Sequence, residues 1–103
     1  MDRHYDHDGK LMLAGQSAGD LAALYGTPTY IYSAARVSQN VARLRAAIDT
    51  IGLPCQLLYA MKSNRFAPLL AHLRSLGVGV DVASPGEVRH ALQCGFELRQ
   101  LSF

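Results

Sequence analysis

Apolar positions along the chain follow two periodicities, one typical of helices and the other typical of strands. Between residues 37 and 48, apolar side chains recur at spacings of three and four, which places them on one face of a predicted helix. Between residues 78 and 83, valines alternate with smaller or polar residues, which is the pattern of a half-buried strand. Residues 56–61 are almost continuously apolar, as expected for a strand that is buried on both faces.

Turn and capping residues divide the chain into a series of short elements. Before residue 33, the predicted elements are a strand at residues 10–14, a helix between Ser17 and Gly26, and a strand at residues 29–32. From residue 33 onward, they are a helix over residues 37–48, a strand over 56–61, a helix over 66–76, a strand over 78–83, a helix after Ser84, and the start of a strand at 100–103. This order of α, β, α, β, α, β with short links favours parallel βα units in an α/β fold.

Residues 84–87 (SPGE) have the form of a capping box at the start of the last predicted helix. In such a box, the Glu87 carboxylate is expected to accept a hydrogen bond from the Ser84 backbone amide. Capping accounts for the spacing of these residues, so Glu87 is interpreted as a structural residue.

Composition and charge exclude several classes of function. Half of the 103 residues are hydrophobic, 17% are charged and the formal net charge is +2, as in ordinary globular proteins. The basic residues are scattered and no apolar run is long, so we expect no nucleic-acid partner and no membrane span. Residues 1–8 are polar and are predicted to form a solvated tail without a signal-peptide core or a metal site. We therefore expect a cytoplasmic protein in which Cys55 and Cys94 are reduced thiols.

Lys62 is the first residue whose position indicates chemistry. It directly follows the apolar strand at residues 56–61, and chemistry in parallel βα architectures collects at the carboxyl ends of strands. Partial desolvation at such a position would favour the uncharged, nucleophilic amine that forms imines. The competing interpretation, which position alone favours, is a lysine that marks the strand end and points to water.

Asp81 is the second candidate. If the valines of residues 78–82 face covering helices, then Gly79, Asp81 and Ala83 face the other side, which is the interior of a barrel. A carboxylate there is costly unless it is paired or functional, and the small residues beside it would leave room for a ligand. Lys62 and Asp81 would then end neighbouring strands, within reach of a salt bridge or one bridging water. An ordinary ion pair between them is the alternative interpretation.

Residues 59–64 (YAMKSN) introduce a resemblance to a known family. They resemble the Tyr-Ala-Val/Leu-Lys-Ala-Asn element of the diaminopimelate/ornithine decarboxylases, which depend on pyridoxal phosphate (PLP) and are built on an alanine-racemase-like barrel. Residues 77–87 (GVGVDVASPGE) are similar to the second strand and turn of that family. Residues 25–32 (YGTPTYIY) and 8–11 (DGKL) resemble the N-terminal arm of diaminopimelate decarboxylases. The match covers nearly the whole chain, with its elements in the right order.

The resemblance implies the beginning of a parallel (β/α)8 TIM-type barrel, with about three barrel strands in residues 33–103 and an N-terminal arm in residues 1–32. It implies pyridoxal 5'-phosphate as the cofactor, bound by Lys62 through a Schiff base and contacted by Asp81 and Ala60. Lys62 and Asp81 would be the catalytic residues of an amino-acid decarboxylase, with meso-diaminopimelate converted to L-lysine as the expected reaction. The implied partners are the small-molecule amino-acid substrate and, in the full-length enzyme, a second copy in a homodimer.

Several alternatives remain open. Met61, Ser63 and Pro85 depart mildly from the family pattern, so ornithine, carboxynorspermidine and siderophore precursors remain alternative substrates. An alanine-racemase-like activity is less favoured, because racemases of that group carry a different sequence after their lysine. A complete barrel takes about 250 residues, so we expect this chain to be the N-terminal part of a longer product. An inactive fragment or a non-enzymatic α/β module is the competing class.

Overall fold

The computed structural model describes residues 3–103, which divide into two compact units. The first unit extends to Gln39 and the second runs from Asn40 to Phe103. This boundary falls within helix α2 (Ala34–Asp49), whereas the sequence favours a domain boundary after residue 32, which stays a prediction. No helix in the described part of the chain has both the length and the apolar character needed to cross a membrane.

The first unit contains a small antiparallel sheet, a short helix and the beginning of α2. Its strands, in spatial order, are β1 (Arg3–Tyr5), β2 (Leu11–Leu13) and β3 (Gln16–Ser17). Ala14 and Gly15, with φ of 49° and 81°, form the two-residue turn between β2 and β3, where tight hairpins require positive φ. Helix α1 (Ala18–Tyr25) follows at once, and the Ser17 hydroxyl caps it by accepting a hydrogen bond from the Asp20 amide at 3.3 Å.

Two predictions for the first unit are wrong. The prediction of a solvated tail at residues 1–8 is wrong, because residues 3–5 form β1. The side chains of β1 are exposed, but its backbone pairs with β2. Residues 1 and 2 lie outside the described part of the chain. Residues 29–32 form no strand among the described residues, because strand-forming side chains do not by themselves supply an edge for the backbone to pair with.

Helix α2 forms where the apolar stripe predicted it. The Ser33 hydroxyl starts this helix by accepting a hydrogen bond from the Arg36 amide at 3.1 Å. Within the stripe, Val41 is buried whereas Leu44 is 52% exposed. The stripe therefore identifies the helix correctly, although part of it stays in contact with solvent.

The second unit alternates parallel strands with helices. In chain order its elements are β4 (Leu58–Ala60), a 3-10 turn (Met61–Ser63), α3 (Ala67–Ser75), β5 (Gly79–Asp81), α4 (Pro85–Gln93), a second 3-10 turn (Leu98–Gln100) and β6 (Leu101–Ser102). β5 pairs in parallel with β4 on one side and with β6 on the other. The predicted α/β class and parallel sheet are thus confirmed. The apolar run at residues 56–61 gives a shorter strand than expected, because the chain enters the 3-10 turn at Met61.

The core of the second unit lies between its sheet and the helices α3 and α4. Tyr59, Val80 and Leu101 occupy aligned positions on the three strands. They pack with Leu70 of α3 and Ala91 of α4. The valines on either side of Val80 are buried as well, so the predicted alternation of β5 is confirmed. Burying a side chain of this size contributes about 1.5–3 kcal/mol, so the central strand is a major attachment between the sheet and its helices.

Gly79 allows the neighbouring strands to approach β5 closely. A Cβ atom added at Gly79 would lie 2.5 Å from the Gln100 carbonyl oxygen and 2.7 Å from the Leu58 Cδ2 atom. The first of these contacts is with backbone, which cannot rotate away as a side chain can. Any larger residue at this position therefore has to displace a strand.

We expect Gly79→Ala to lower the free energy of unfolding by about 1–3 kcal/mol, because the added methyl group overpacks the sheet. The matched control is Gly86→Ala in α4, where an added Cβ would meet only the Ser84 Oγ atom at 3.8 Å. In a helix, that change should instead raise the free energy of unfolding by about 0.5–1 kcal/mol. Urea unfolding of both variants measures the difference, and equal effects would contradict this account of Gly79.

Candidate active site

The three parallel strands of the second unit end at one edge of the sheet, with their last residues in register. Ala60 on β4 is aligned with Asp81 on β5, which is aligned with Ser102 on β6. Because side chains alternate along each strand, these three residues share the face opposite to Val80. Asp81 and Ser102 are exposed and Ala60 is half-buried. In the described chain this face is therefore open, whereas α3 and α4 cover the other one.

Lys62 lies two residues beyond Ala60, in the 3-10 turn that ends β4. Its neighbour Met61 is fully buried in the core, while Lys62 itself is exposed. Within residues 3–103, no ion pair or hydrogen bond joins the Lys62 amine to Asp81. Lys62 follows β4 and Asp81 ends the neighbouring β5, and the two groups do not form the ordinary ion pair of the alternative interpretation. Their functional roles stay predictions.

The small residues on the open face do not all leave room for a ligand. The space beside Gly79 is filled by the Gln100 carbonyl group and the Leu58 side chain, so the expectation of free space there is wrong. The reason is that a glycine in a strand also lets another backbone approach, which sequence alone does not distinguish from an open cavity. Ala83, in contrast, is exposed. Space on this face therefore lies toward the carboxyl ends of the strands.

Glu87 caps α4, but with a different partner from the one expected. The Ser84 hydroxyl accepts a hydrogen bond from the Glu87 amide at 3.1 Å, as predicted. The Glu87 carboxylate accepts its hydrogen bond from the Ala83 amide and not from the Ser84 amide. Ser84 is extended (φ −155°, ψ 159°), which brings the preceding amide to the carboxylate. Glu87 is only 6% exposed, so this buried carboxylate ties α4 to the segment that follows Asp81.

Two residues near this edge were not identified from the sequence. Ser102 is aligned with Asp81 on the open face, but its sequence position indicated only the start of a strand. The His90 Nε2 atom of α4 lies 2.8 Å from the Arg65 carbonyl oxygen, in the connection that follows Lys62. Neither the register between strands nor a contact spanning 25 positions has a signal in residue spacing.

One exposed ion pair perturbs titration in the second unit. The hydrogen bond from Arg99 to Glu97, reinforced by charge attraction, lowers the pKa of the Glu97 carboxyl group and raises the pKa of the Arg99 guanidinium. This pair lies in and beside the 3-10 turn before β6, on exposed side chains. Among residues 3–103, no three His, Cys, Asp or Glu side chains are grouped so that they could hold a metal ion.

One known family matches the part of the chain that forms the parallel sheet. Residues 34–103 match the family described as "Pyridoxal-dependent decarboxylase, pyridoxal binding domain". The chain belongs to this family of pyridoxal-dependent decarboxylases. The matched region contains the whole parallel sheet, together with Lys62 and Asp81. The predicted resemblance is therefore confirmed.

Individual members of the decarboxylase family extend the match over nearly the whole chain. The diaminopimelate decarboxylase of Methanothermobacter thermautotrophicus is 35% identical over 96 residues, which cover 93% of this chain and 22% of that protein. The diaminopimelate decarboxylase of Pseudomonas aeruginosa is 34% identical over 104 positions, which cover 100% of this chain and 24% of that protein. The crystal structure of diaminopimelate decarboxylase from M. jannaschi superposes with a TM-score of 0.88 at 28% identity, covering 96% of this chain and 24% of that one. The chain thus spans 22–24% of the length of these relatives.

The side chains at the sheet edge fit one end of pyridoxal phosphate, the cofactor of this decarboxylase family. The aldehyde of this cofactor requires a primary amine, and the exposed Lys62 amine is not engaged by Asp81. The Asp81 carboxylate on the open face can accept a hydrogen bond, and the small Ala60 side chain beside it leaves space for a ring. The amine, the carboxylate and the small side chain of these three residues therefore suit the aldehyde end of the cofactor.

The buried Glu87 carboxylate generates a stability prediction. Glu87→Ala should lower the free energy of unfolding by about 1–3 kcal/mol, because it leaves the Ala83 amide without its acceptor. Glu87→Gln keeps an acceptor oxygen and should cost less. On the same helix, Arg89→Ala changes an exposed side chain and should stay within about 0.5 kcal/mol of the parent. Urea unfolding provides the measurement, and a Glu87→Ala effect no larger than that of Arg89→Ala would count against the capping role.

Proposed function

We propose that this protein is a PLP-dependent decarboxylase that converts meso-diaminopimelate to L-lysine and CO2. The observation that carries the proposal is the Lys62 amine at the end of β4, beside the strand that ends at Asp81 on the same open edge. The match to a pyridoxal binding domain supports the cofactor, and the names of the relatives support the substrate. Lys62 and Asp81 are the proposed catalytic residues, and Ala60 is a third residue that contacts the cofactor.

The proposed roles follow from the chemistry of each side chain. Lys62 would bind the cofactor covalently through its amine, which holds the aldehyde carbon at the end of β4. Asp81 would accept a hydrogen bond from that amine, and its negative charge would attract the ammonium group of the incoming amino acid. Ala60 would leave space for the cofactor ring without competing for its polar groups. When bound, PLP supplies an electron-withdrawing ring that stabilises the charge left on the substrate α-carbon as CO2 departs.

The architecture of the complete enzyme is also part of the proposal. We propose that β4, β5 and β6 are the first strands of a parallel (β/α)8 barrel, in which the open face becomes the interior. Their consecutive order in the sheet and the short βα links support this arrangement. Residues 1–32 would form the N-terminal arm of that enzyme. A homodimer in the cytoplasm is proposed on the family resemblance.

The proposed cofactor site is tested by labelling the chain with PLP, followed by borohydride reduction and peptide mass mapping. The sequence makes this test sharp, because Lys10 and Lys62 are its only lysines and the remaining primary amine is the α-amino group. We expect a single dominant pyridoxyl adduct on Lys62, because Lys62 follows a strand of the parallel sheet whereas Lys10 precedes a strand of the antiparallel one. The adduct should disappear in Lys62→Ala and persist in Lys10→Ala.

Equal labelling of Lys10 and Lys62 would refute the cofactor site, since both lysines would then be behaving as ordinary surface amines. Asp81→Asn provides a second check, because it retains the size of the side chain and removes its charge. If Asp81 acts on the Lys62 amine, this variant should lower the labelling of Lys62 relative to Lys10. An unchanged ratio would remove Asp81 from the proposal.

The proposed substrate is tested by measuring CO2 released from carboxyl-labelled amino acids in the presence of PLP. In the longer product of which this chain is expected to be the N-terminal part, we expect release from meso-diaminopimelate to exceed release from ornithine and carboxynorspermidine, and to be lost in Lys62→Ala. Because the lysine is proposed to bind the cofactor covalently, its removal should lower the rate at least about 100-fold, a typical loss for an essential catalytic group. Preferential release from ornithine would assign the protein to another substrate of the family.

A further inference from the structure

Two side chains bond to backbone carbonyl groups in the segment that directly follows the 3-10 turn of Lys62. The Tyr59 hydroxyl donates to the Asn64 carbonyl oxygen at 3.2 Å. The His90 Nε2 atom lies 2.8 Å from the Arg65 carbonyl oxygen. The Tyr59 bond is local, because Tyr59 lies on β4 and Asn64 directly follows the 3-10 turn that ends this strand. The His90 bond comes from α4, and so it attaches this segment to another element, in addition to the burial of Met61 in the core.

The geometry assigns the protonation of the His90 ring. A carbonyl oxygen only accepts hydrogen bonds, so a nitrogen 2.8 Å away from it must carry the proton. His90 therefore has its proton on Nε2. The Cys94 Sγ atom lies 3.7 Å from the same nitrogen, which is already committed as a donor and cannot accept the thiol proton. The histidine thus acts as a donor to the Lys62 turn and not as a base for the cysteine.

Helix α4 bonds to both of the connections that leave the sheet edge. Its Glu87 carboxylate accepts a hydrogen bond from the Ala83 amide, two residues after Asp81. One turn later, His90 donates to Arg65, three residues after Lys62. Ala91 of the same helix is fully buried in the core, so the helix cannot shift without disturbing the packing. The segments that follow Lys62 and Asp81 are therefore attached to one rigid element.

We propose that His90 is a positioning residue that holds the Lys62 turn at a fixed place relative to Asp81. The role of the Lys62 amine toward PLP rests on the function proposed above, whereas the positioning of the turn by His90 does not depend on that function. His90 touches neither reacting group and acts only through the Arg65 carbonyl. Losing its hydrogen bond should leave the core intact but allow the turn to move, which spreads the Lys62 amine over more positions.

The test compares His90→Gln with His90→Met in the full 103-residue chain. The two side chains have similar length and similar helix propensity, but only glutamine can donate a hydrogen bond at the reach of the histidine Nε2 atom. Cys94→Ala is the second control, because the thiol is not required for the bond. Urea unfolding of each variant identifies any general loss of the fold.

Two readouts separate positioning from stability. The first is amide hydrogen exchange of residues 63–66 by NMR, together with the nitrogen shifts of the His90 ring, which report the Nε2-protonated tautomer. The second is the ratio of pyridoxyl adduct on Lys62 to that on Lys10, which serves as an internal reference in the same molecule. In His90→Met we expect exchange to accelerate and the ratio to fall by roughly fivefold each, the factor for losing one ordinary hydrogen bond. His90→Gln should restore both, and Cys94→Ala should change neither.

The outcomes distinguish the two proposals. Equal exchange and equal labelling in His90→Met and His90→Gln would overturn the role of His90, even if Lys62 is labelled selectively. A His90 ring protonated on Nδ1 alone in the parent chain would overturn it as well. A third outcome is that amide exchange at residues 63–66 depends on His90 while PLP labels Lys62 no more than Lys10 in the parent chain. This outcome would support the positioning role of His90 and refute the proposed PLP function.

Discussion

The parallel pairing of β5 with β4 and β6 is the constraint on which the rest of the second unit depends. With Val80 packed against α3 and α4, alternation along the strand leaves Asp81 on the opposite face. A slip of one residue would bury the Asp81 carboxylate in the core and expose the valines, at a cost of several kcal/mol. Gly79 reinforces this register, because the close approach of the Gln100 carbonyl excludes any larger residue there. The same pairing that forms the core therefore presents Asp81, Ala60 and Ser102 together.

Helix α4 connects this sheet to the chemistry proposed for it. The helix contributes Ala91 and Val88 to the core, and its polar residues bond to the connections that follow β4 and β5. A buried carboxylate such as Glu87 is stable only when a donor meets it, and the Ala83 amide supplies that donor. Core packing and helix capping thus attach α4 to the two segments that directly follow Lys62 and Asp81.

The open face of the sheet accounts for the half-buried state of the apolar run at residues 56–61. The run favours a strand buried on both faces, yet the residues of β4 are only half-buried in the described chain. In the proposed barrel, the second face becomes the interior, where Lys62 and Asp81 would meet the cofactor. The relatives of known name are about four times as long as this chain, which covers 22–24% of each. The site is therefore proposed as the lysine-bearing part of a larger catalytic centre.

The sequence by itself determined the α/β class, the order of the elements from residue 33 onward and the helix cap at Ser84. It also determined that Lys62 follows a strand and that Asp81 lies on the next strand of the sheet. These features are local, because periodicity, caps and strand ends depend on residues a few positions apart. The sequence-based prediction failed at residues 29–32, which form no strand among the described residues. It failed also at residues 3–5, where a polar segment pairs through its backbone. Only the tertiary structure decided the alignment of Ser102 with Asp81, the filling of the space beside Gly79, and the bond between His90 and Arg65. Each of these depends on segments distant in sequence, brought together by burial of the core, and no residue spacing records which backbone group lies opposite which side chain.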